Sequence, residues 1–270
     1  MKITFLGGGN MASALIGGML AKGFVAGDIA VVERSDEGRT RLAERFGVRT
    51  HPALDATALD CDVLVLAVKP QQMREAIAPA AGKLTRQVVV SIAAGLRLGD
   101  MARWLGGYSR LVRCMPNTPA LIGAGVTGLF ADASVSAAER EVVERILASV
   151  GQTVWIDTEA QMDAVTALSG SGPAYVFHFI EAMEAAGVSM GFDTETARKL
   201  AIGTVLGAAQ LAAGSDESPA VLRERVTSKG GTTAAALAVM AEGDLVGLVG
   251  RAIEAAEARG KALGDALGAD

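Results

Sequence analysis

The first part of the chain alternates short apolar runs with helical patterns. The apolar runs are rich in β-branched residues and read KITFLG, IAVVER, DVLVLAV, VVVSIAA, RLVRCMP, VTGLFA and TVWID, in that order. Helical patterns cover residues 11–22, 36–46 and the segment from Gln71 onward. Continuously apolar strands that alternate with helices are typical of a parallel sheet covered on both faces. We therefore predict a doubly wound α/β domain with a mostly parallel sheet over residues 1–158.

The strand pattern stops at about Glu159, and the rest of the chain is helical in character. The predicted helices cover residues 159–186, 194–213, 219–227, 232–242 and 244–267. The segment 200–213 is apolar nearly all the way round, and a helix of that kind in a soluble chain needs burial on every side. We therefore predict an all-α domain over residues 159–270 that packs across the boundary of an intimate homodimer.

A glycine turn joins the first predicted strand to the first predicted helix in FLGGGNMASALIGG. Gly7, Gly9 and Ala12 fit the G-x-G-x-x-G/A pattern, which seats a dinucleotide pyrophosphate on a tight turn at the start of a helix. The strand–turn–helix context favours a Rossmann-type cofactor site over a purely structural turn. Asn10 and Met11, which lie inside the motif, complete the predicted cofactor contacts at this turn.

The end of the second strand bears on the choice of cofactor. It reads Val-Val-Glu-Arg-Ser over residues 31–35, where the adenosine ribose is expected. An acidic residue here suits the ribose hydroxyls of NAD, whereas Arg and Ser suit a 2′-phosphate. Arg34 and Ser35 favour NADPH, and NADH stays open as the alternative. The same residues also suit a solvated surface charge and a helix cap, respectively.

A second anion site is predicted in VTSKGGTTAAA, residues 226–236. A hydroxyl-rich, glycine-hinged turn that opens into a helix offers several free backbone N–H groups to one small anion. Ser228 either caps this helix or takes part in anion binding. The pair Gly230-Gly231 favours binding, because a simple cap does not require an open backbone.

Composition limits the classes of partner. The chain has 270 residues, half of them hydrophobic, so it can bury a substantial core. Its net charge of −5 and its lack of a Lys/Arg cluster argue against nucleic acid and against an anionic membrane surface. No run resembles a spanning helix. We therefore expect a small-molecule partner. Cys61 and Cys114 suit reduced, buried thiols, so we also expect a cytoplasmic protein. No metal-ligand set is apparent, and no metal is predicted.

Five motifs occur in a fixed order along the chain. They read GGGNMASALIGG, LAVKPQ, RCMPNTPALIGAGVTG, ALSGSGPAYVFHFIEAM and VTSKGGTTAAAL. Together they resemble pyrroline-5-carboxylate reductase over almost the whole chain. The resemblance implies NAD(P)H-dependent reduction of the cyclic imine 1-pyrroline-5-carboxylate to L-proline, the final step of proline biosynthesis. It also implies a nucleotide domain followed by a helical dimerisation domain, with dimers that assemble into a larger ring such as a decamer.

The resemblance also implies roles for particular residues. Ser228, Thr232 and Thr233 match the loop that holds the carboxylate of the imino-acid substrate, and the backbone N–H of Gly231 is a further expected donor there. Ala67, Val68 and Lys69 match the cofactor contacts beside the nicotinamide. Met115, Pro116 and Asn117 match the strand end that approaches the reactive ring, and they are expected to contact the cofactor there. One departure is that the stretch HPALDATALD lacks an Asn that many relatives place near the adenosine.

Proton transfer places a small demand on the protein, because a protonated iminium is already electrophilic. Among candidate groups, the hydroxyl of Thr233, or a water that it holds, is the first choice for assisting the proton. We expect His51 in a turn and His178 in the core or at an interface. The predicted catalytic residue is therefore Thr233.

The motif SGSGPAY at residues 169–175 interrupts an otherwise continuous helical pattern. Pro173 removes an internal hydrogen bond, so we expect a kink. The kink either faces the nicotinamide or lets two helices cross. In the first case Ser171 and Pro173 are the expected contacts.

Two other functions fit parts of the pattern. β-Hydroxyacid dehydrogenases also pair a nucleotide domain with a helical one, but they need a lysine close after a glycine motif, and residues 169–190 contain none. A non-catalytic NADPH-binding protein would keep the fold without turnover. Retention of the whole carboxylate loop fits that second alternative poorly.

Overall fold

The first part of the chain forms one eight-stranded sheet in the computed structural model, which describes residues 1–269. The strands are β1 (Ile3–Leu6), β2 (Ile29–Val32), β3 (Arg49–His51), β4 (Val63–Leu66), β5 (Val88–Ser91), β6 (Leu111–Met115), β7 (Gly125–Ala131) and β8 (Gly151–Trp155). Their spatial order is β3-β2-β1-β4-β5-β6-β7-β8. All neighbouring strands are parallel except β6 and β7, which are antiparallel. The predicted mostly parallel sheet is confirmed.

Helices cover both faces of this sheet. Those of the first part are α1 (Asn10–Ala21), α2 (Asp36–Phe46), α3 (Met73–Ile77), α4 (Leu98–Trp104) and α5 (Ala137–Leu147). Phe5 of β1 belongs to a core cluster with Leu15 of α1, whereas its neighbour Leu6 belongs to a second cluster with Met73 of α3 and Met101 of α4. Successive side chains of a strand point to opposite faces, so both faces are buried. This explains why β1, β2, β4 and β5 read as continuously apolar runs.

Strands β1, β2 and β4 end side by side, next to the glycine turn that follows β1. Leu6, the last residue of β1, is paired with Val32 of β2 on one side and with Leu66 of β4 on the other. The residues that follow these three strands therefore emerge side by side at one edge of the sheet. Open α/β sheets bind ligands at this edge.

One strand was missed by the sequence pattern. β3 is a three-residue strand, and it pairs with β2 at the edge of the sheet. It contains His51, so the expectation that His51 lies in a turn is wrong. The reason is that Arg49, Thr50 and His51 carry no apolar alternation, since an edge strand of this length buries little.

The second part of the described chain is helical, as predicted. Its helices are α6 (Gln161–Val165), α7 (Gly172–Ser189), α8 (Thr194–Ala213), α9 (Pro219–Arg225), α10 (Thr232–Glu242) and α11 (Leu245–Gly268). Between Trp155 and residue 269 the structure contains no strand. The expected doubly wound sheet followed by an all-α region is confirmed.

The chain divides into two compact units. Among the described residues, unit 1 comprises 1–171 and 254–269, and unit 2 comprises 172–253. The second half of α11 thus belongs to unit 1, where Arg97 pairs with Asp265 at 2.5 Å and Arg103 donates to the Gly268 carbonyl at 2.7 Å. A boundary between residues 158 and 159 stays a prediction.

Unit 2 exposes many large apolar side chains in the single chain. Phe177 of α7 is 65% exposed, Leu211 of α8 is 73% exposed and Val246 of α11 is 86% exposed. His178 is also exposed and lies 3.1 Å from Glu181, so a core position for His178 is wrong, while an interface position stays a prediction. Apolar surface on this scale marks an interaction face.

Among residues 1–269, no single helix is long and apolar enough to cross a bilayer. Helices α10 and α11 reach that length and apolar character only when they are taken together across the bend between them.

We expect Leu211→Asp to weaken self-association of the protein. A carboxylate at this exposed apolar position of α8 would lose its hydration if a second copy covered it, and burying an unpaired charge is costly. Size-exclusion chromatography with light scattering at micromolar concentration would show a smaller mass for the variant. Leu121→Asp is a matched control, because Leu121 is also exposed but lies in unit 1. An unchanged mass for Leu211→Asp would contradict the prediction.

Candidate active site

The glycine turn after β1 approaches the chain that follows β4. Gly7 has a φ of 102°, a conformation that side chains other than glycine rarely adopt. A Cβ at Gly7 would lie 2.8 Å from the carbonyl oxygen of Ala67 and 3.0 Å from Cγ1 of Val68. The structure therefore brings together Gly7 and two of the residues predicted to contact the nicotinamide. Lys69 follows them and is exposed.

The N-terminus of α1 is open to a ligand. Gly9 is the N-cap residue, no side chain caps the helix, and a Cβ at Gly9 would meet nothing within 4 Å. The N–H groups of Asn10, Met11 and Ala12 precede the first intrahelical bond, which runs from Ser13 N–H to the Gly9 carbonyl at 2.9 Å. Free N–H groups and the helix dipole both favour an anion here. The turn therefore fits the pyrophosphate of a dinucleotide.

The residues after β2 form the adjacent rim of this site. Glu33 accepts backbone N–H donors through both of its carboxylate oxygens, from Gly8 at 3.3 Å and from Ser35 at 3.1 Å. Glu33 thus ties the β1–α1 turn to the β2–α2 turn. The Ser35 hydroxyl accepts from the Gly38 N–H at 2.8 Å and caps α2, as one of the two alternatives for Ser35 anticipated. This capping leaves the hydroxyl proton of Ser35 free to donate.

A cavity of about 360 Å³ lies beside this rim. It is bounded by the ends of β1, β2 and β4 and by α3, and Gly7, Glu33, Arg34 and Val68 are among its lining residues. Pro52 and Ala53, from the stretch that lacks the Asn expected from the resemblance, also line it. The cavity has the position expected for the adenosine end of the cofactor, with Arg34 in its wall.

The segment that follows β6 was predicted to approach the reactive ring, and the structure gives it a structural role. Pro116 is buried, and Asn117 is 9% exposed. The Asn117 Nδ2 donates to the Ser169 carbonyl at 3.2 Å, and its Oδ1 accepts from the Val126 N–H at 2.9 Å. The side-chain amide of Asn117 is therefore engaged with the protein itself. Cofactor contacts by Met115, Pro116 and Asn117 stay a prediction.

The interruption at SGSGPAY is a π-helical turn. It covers Thr166–Gly170, and the N–H of Ser171 bonds to the Thr166 carbonyl at 2.8 Å, five residues back. Pro173 follows this wider turn and lies in the first turn of α7, where a missing N–H costs little. The expected kink stays a prediction. In a regular helix Pro173 would leave the Ser169 carbonyl without its donor, and Asn117 supplies one instead. Ser171 ends unit 1 and Pro173 lies in unit 2.

A buried charge network below the β6 end was missed by the sequence pattern. Arg113 of β6 is 2% exposed and donates to Glu159 at 3.3 Å and to Asp163 of α6 at 3.1 Å. Glu159 also accepts from the Leu98 N–H at 2.7 Å, at the start of α4. The only sequence signal was an arginine inside an apolar strand run. A buried arginine requires acidic partners. The network fixes α6 and, with it, the start of the π turn.

The predicted carboxylate loop has the geometry of an anion site. Gly231 is the N-cap of α10, and no side chain caps this helix, so Ser228 does not have the capping role that was the alternative. The first α10 bond runs from Ala235 N–H to the Gly231 carbonyl at 3.1 Å, which leaves the N–H groups of Thr232, Thr233 and Ala234 for a ligand. The Gly231 N–H, which was expected to be a further donor to the carboxylate, donates instead to the Ser228 carbonyl at 3.0 Å.

Glycine is needed at two points of this loop. Gly230 has a φ of 74°, and a Cβ at Gly231 would lie 2.5 Å from the Ser228 hydroxyl oxygen. The Ser228 hydroxyl therefore lies over the exposed backbone at the start of α10, beside the free N–H groups. Thr233 is half-buried there, whereas Ser228 and Thr232 are exposed.

The two cysteines are buried in the core. Cys61 and Cys114 are free and buried, and burial raises the pKa of both thiols, as expected for unreactive core cysteines. Within residues 1–269 the structure contains no group of three or more His, Cys, Asp or Glu side chains that could hold a metal ion.

Comparison with known proteins places the chain in a family. Residues 159–263 match the model described as pyrroline-5-carboxylate reductase dimerisation, and residues 2–95 match that described as NADP oxidoreductase, coenzyme F420-dependent. The pyrroline-5-carboxylate reductase of Pseudomonas aeruginosa is 46% identical over 270 residues, which cover 99% of this chain and 98% of the relative. The chain belongs to the pyrroline-5-carboxylate reductase family. The first part is thus a nicotinamide-dinucleotide oxidoreductase domain, and the second contains a dimerisation domain.

Solved structures of the family agree with this fold. The pyrroline-5-carboxylate reductase of Coxiella burnetii matches with a TM-score of 0.93 at 41% identity, over 97% of this chain and 98% of that one. The Plasmodium falciparum pyrroline carboxylate reductase, which was solved with NADP bound, matches with a TM-score of 0.86 at 30% identity, over 98% of each chain. The resemblance inferred from the five motifs is confirmed.

We expect Asn117→Ala to destabilise the protein by about 1–3 kcal/mol, because it leaves both the half-buried Ser169 carbonyl and the Val126 N–H without their partner. Urea unfolding at a fixed protein concentration measures this change. Ser169→Ala is the control, since it removes the weaker hydroxyl contact at 3.4 Å and keeps the carbonyl acceptor. Equal stability of Asn117→Ala and the unaltered protein would show that the amide does not support the π turn.

Proposed function

We propose that this protein reduces 1-pyrroline-5-carboxylate to L-proline with a nicotinamide cofactor, as the final step of proline biosynthesis. The observation that carries the proposal is the uncapped start of α10, where the Ser228 hydroxyl lies over Gly231 beside three free backbone N–H groups. Such a site suits the carboxylate of an imino acid. Because the chain belongs to the pyrroline-5-carboxylate reductase family, the anion that we propose for this site is the carboxylate of pyrroline-5-carboxylate.

The chemistry requires positioning more than acid–base power. The bound cofactor supplies a hydride from C4 of its reduced nicotinamide. The loop orients the imino acid by its carboxylate, through the hydroxyls of Ser228 and Thr233 and the N–H groups of Thr232 and Thr233, with the helix dipole adding about 0.3–1 kcal/mol. Thr233 is half-buried and is our candidate for assisting the proton on the imine nitrogen. Orientation of reacting groups is itself a large source of rate acceleration.

The cofactor that we propose is NADPH in preference to NADH. Arg34 lines the adenosine cavity, and the Ser35 hydroxyl keeps a proton to donate after it has capped α2. Both groups suit a 2′-phosphate. The acidic residue that would favour NAD, Glu33, already accepts two backbone N–H donors. This engagement weakens the case for Glu33 as a ligand of the ribose hydroxyls.

We further propose that the remaining site residues act as the family resemblance implies. The nicotinamide end of the cofactor would contact Ala67, Val68, Lys69, Met115, Pro116 and Asn117, and the reacting groups would lie near Ser171 and Pro173. The homodimer would assemble into a larger ring such as a decamer, in the cytoplasm. Residues 1–158 would form the nucleotide domain and residues 159–270 the substrate and dimerisation domain.

The activity itself is tested by the loss of NADPH absorbance with pyrroline-5-carboxylate. We expect oxidation of NADPH with this substrate and no reduction of NADP with 3-hydroxy acids. The second reaction is the control, because a β-hydroxyacid dehydrogenase would catalyse it. Binding of NADPH without turnover of either substrate would instead support a non-catalytic cofactor-binding protein.

We expect Thr233→Ala to raise the KM for the imino acid about tenfold or more, because hydrogen bonds to charged groups contribute about 1.5–3 kcal/mol. The KM for NADPH should change much less. Steady-state kinetics with each substrate varied in turn measures both constants. Thr233→Ser keeps the hydroxyl and should restore most of the substrate affinity. Equal effects of Thr233→Ala on both constants would count against contact with the carboxylate.

A further inference from the structure

An ion pair bridges two walls of the adenosine cavity. Arg34 follows β2, and Glu75 lies in α3 on the other side of the cavity. The Nη2 of Arg34 lies 3.0 Å from Oε1 of Glu75. The two residues are 41 positions apart in the chain, so this pair follows from the fold. The guanidinium proposed to receive a 2′-phosphate therefore already has an anionic partner.

The cavity carries more negative than positive charge among its lining residues. Glu33, Glu75 and Arg34 are the charged groups that line it. The charge of Glu33 is partly compensated, because its oxygens accept the N–H groups of Gly8 and Ser35. Glu75 faces Arg34. A phosphate monoester adds about 1.5 to 2 further negative charges at neutral pH.

The 2′-phosphate of NADPH and the 2′-hydroxyl of NADH affect the Arg34–Glu75 ion pair differently. The phosphate needs the guanidinium, so it must either displace Glu75 from Arg34 or bind with a carboxylate close by. Like charges at such a distance repel. The 2′-hydroxyl of NADH does not need Arg34 and leaves the ion pair intact. The Arg34–Glu75 pair therefore weakens the binding of NADPH and not that of NADH.

We infer that Glu75 is a specificity-determining residue, which competes with the 2′-phosphate of NADPH for Arg34 and so narrows the preference for NADPH over NADH. This inference rests on the proposed cofactor site and names the residue that sets its selectivity. The side chains of Arg34 and Glu75 are 72% and 77% exposed, so water and salt screen the pair. The expected effect is therefore modest, about two- to fivefold in affinity.

The test is a binding measurement on the full-length protein without imino acid. We expect Glu75→Gln to lower the Kd for NADPH about two- to fivefold at low ionic strength and to leave the Kd for NADH unchanged. Adenosine 2′,5′-bisphosphate and 5′-AMP, measured by calorimetry, should show the same difference, since they probe the adenosine cavity without the nicotinamide. Glu141→Gln is the matched control, because Glu141 is an exposed glutamate on α5 that does not line the cavity.

The Arg34→Gln background separates competition from general repulsion. If Glu75 acts by occupying Arg34, the benefit of Glu75→Gln for NADPH should shrink toward zero when Arg34 is absent. An equal benefit in both backgrounds would overturn the competition, as would an unchanged ratio of the two Kd values in Glu75→Gln alone. Failure of both dinucleotides to bind the unaltered protein would overturn the proposed function together with this inference.

Discussion

The level pairing of β1 with β2 and β4 is the constraint on which the cofactor site depends. Leu6 is paired with both Val32 and Leu66, so the three strands end side by side. At one edge of the sheet the glycine turn therefore lies close to both Glu33 and the Ala67 carbonyl. A shift of one residue in either pairing would move every side chain of a strand to the opposite face and separate these groups. Burial of both faces makes such a shift very unfavourable.

Within that frame, both predicted anion sites lie at helix N-termini that present backbone N–H groups. The N-termini of α1 and α10 are both uncapped, and a glycine is the N-cap residue of each. By contrast, Ser35 and Ser136 cap α2 and α5 with their side chains. The helices that begin at predicted ligand sites thus lack the side-chain oxygen that would satisfy their N–H groups internally. Their open N–H groups are left to water or to a bound anion.

The sequence predicted the elements that carry strong periodic signals. Apolar β-branched runs located seven of the eight strands, and the glycine motifs located both open helix starts. It could not predict β3, because a short polar edge strand has no alternation to detect. The π turn and the Asn117–Ser169 bond depend on contacts between segments 52 residues apart, which local patterns do not encode. The Arg34–Glu75 pair was missed for the same reason.

Unit 1 is discontinuous in the chain, and this has a consequence for its synthesis. Residues 254–269 are made after all of unit 2, yet they pack in unit 1, where Gly264 lies against the Gly95 carbonyl and Asp265 pairs with Arg97. The nascent nucleotide-binding sheet can therefore collapse early on the ribosome but cannot complete its packing until this last segment has left the exit tunnel. Translation that stops within α11 would leave the first unit unfinished, although its own strands would all be present.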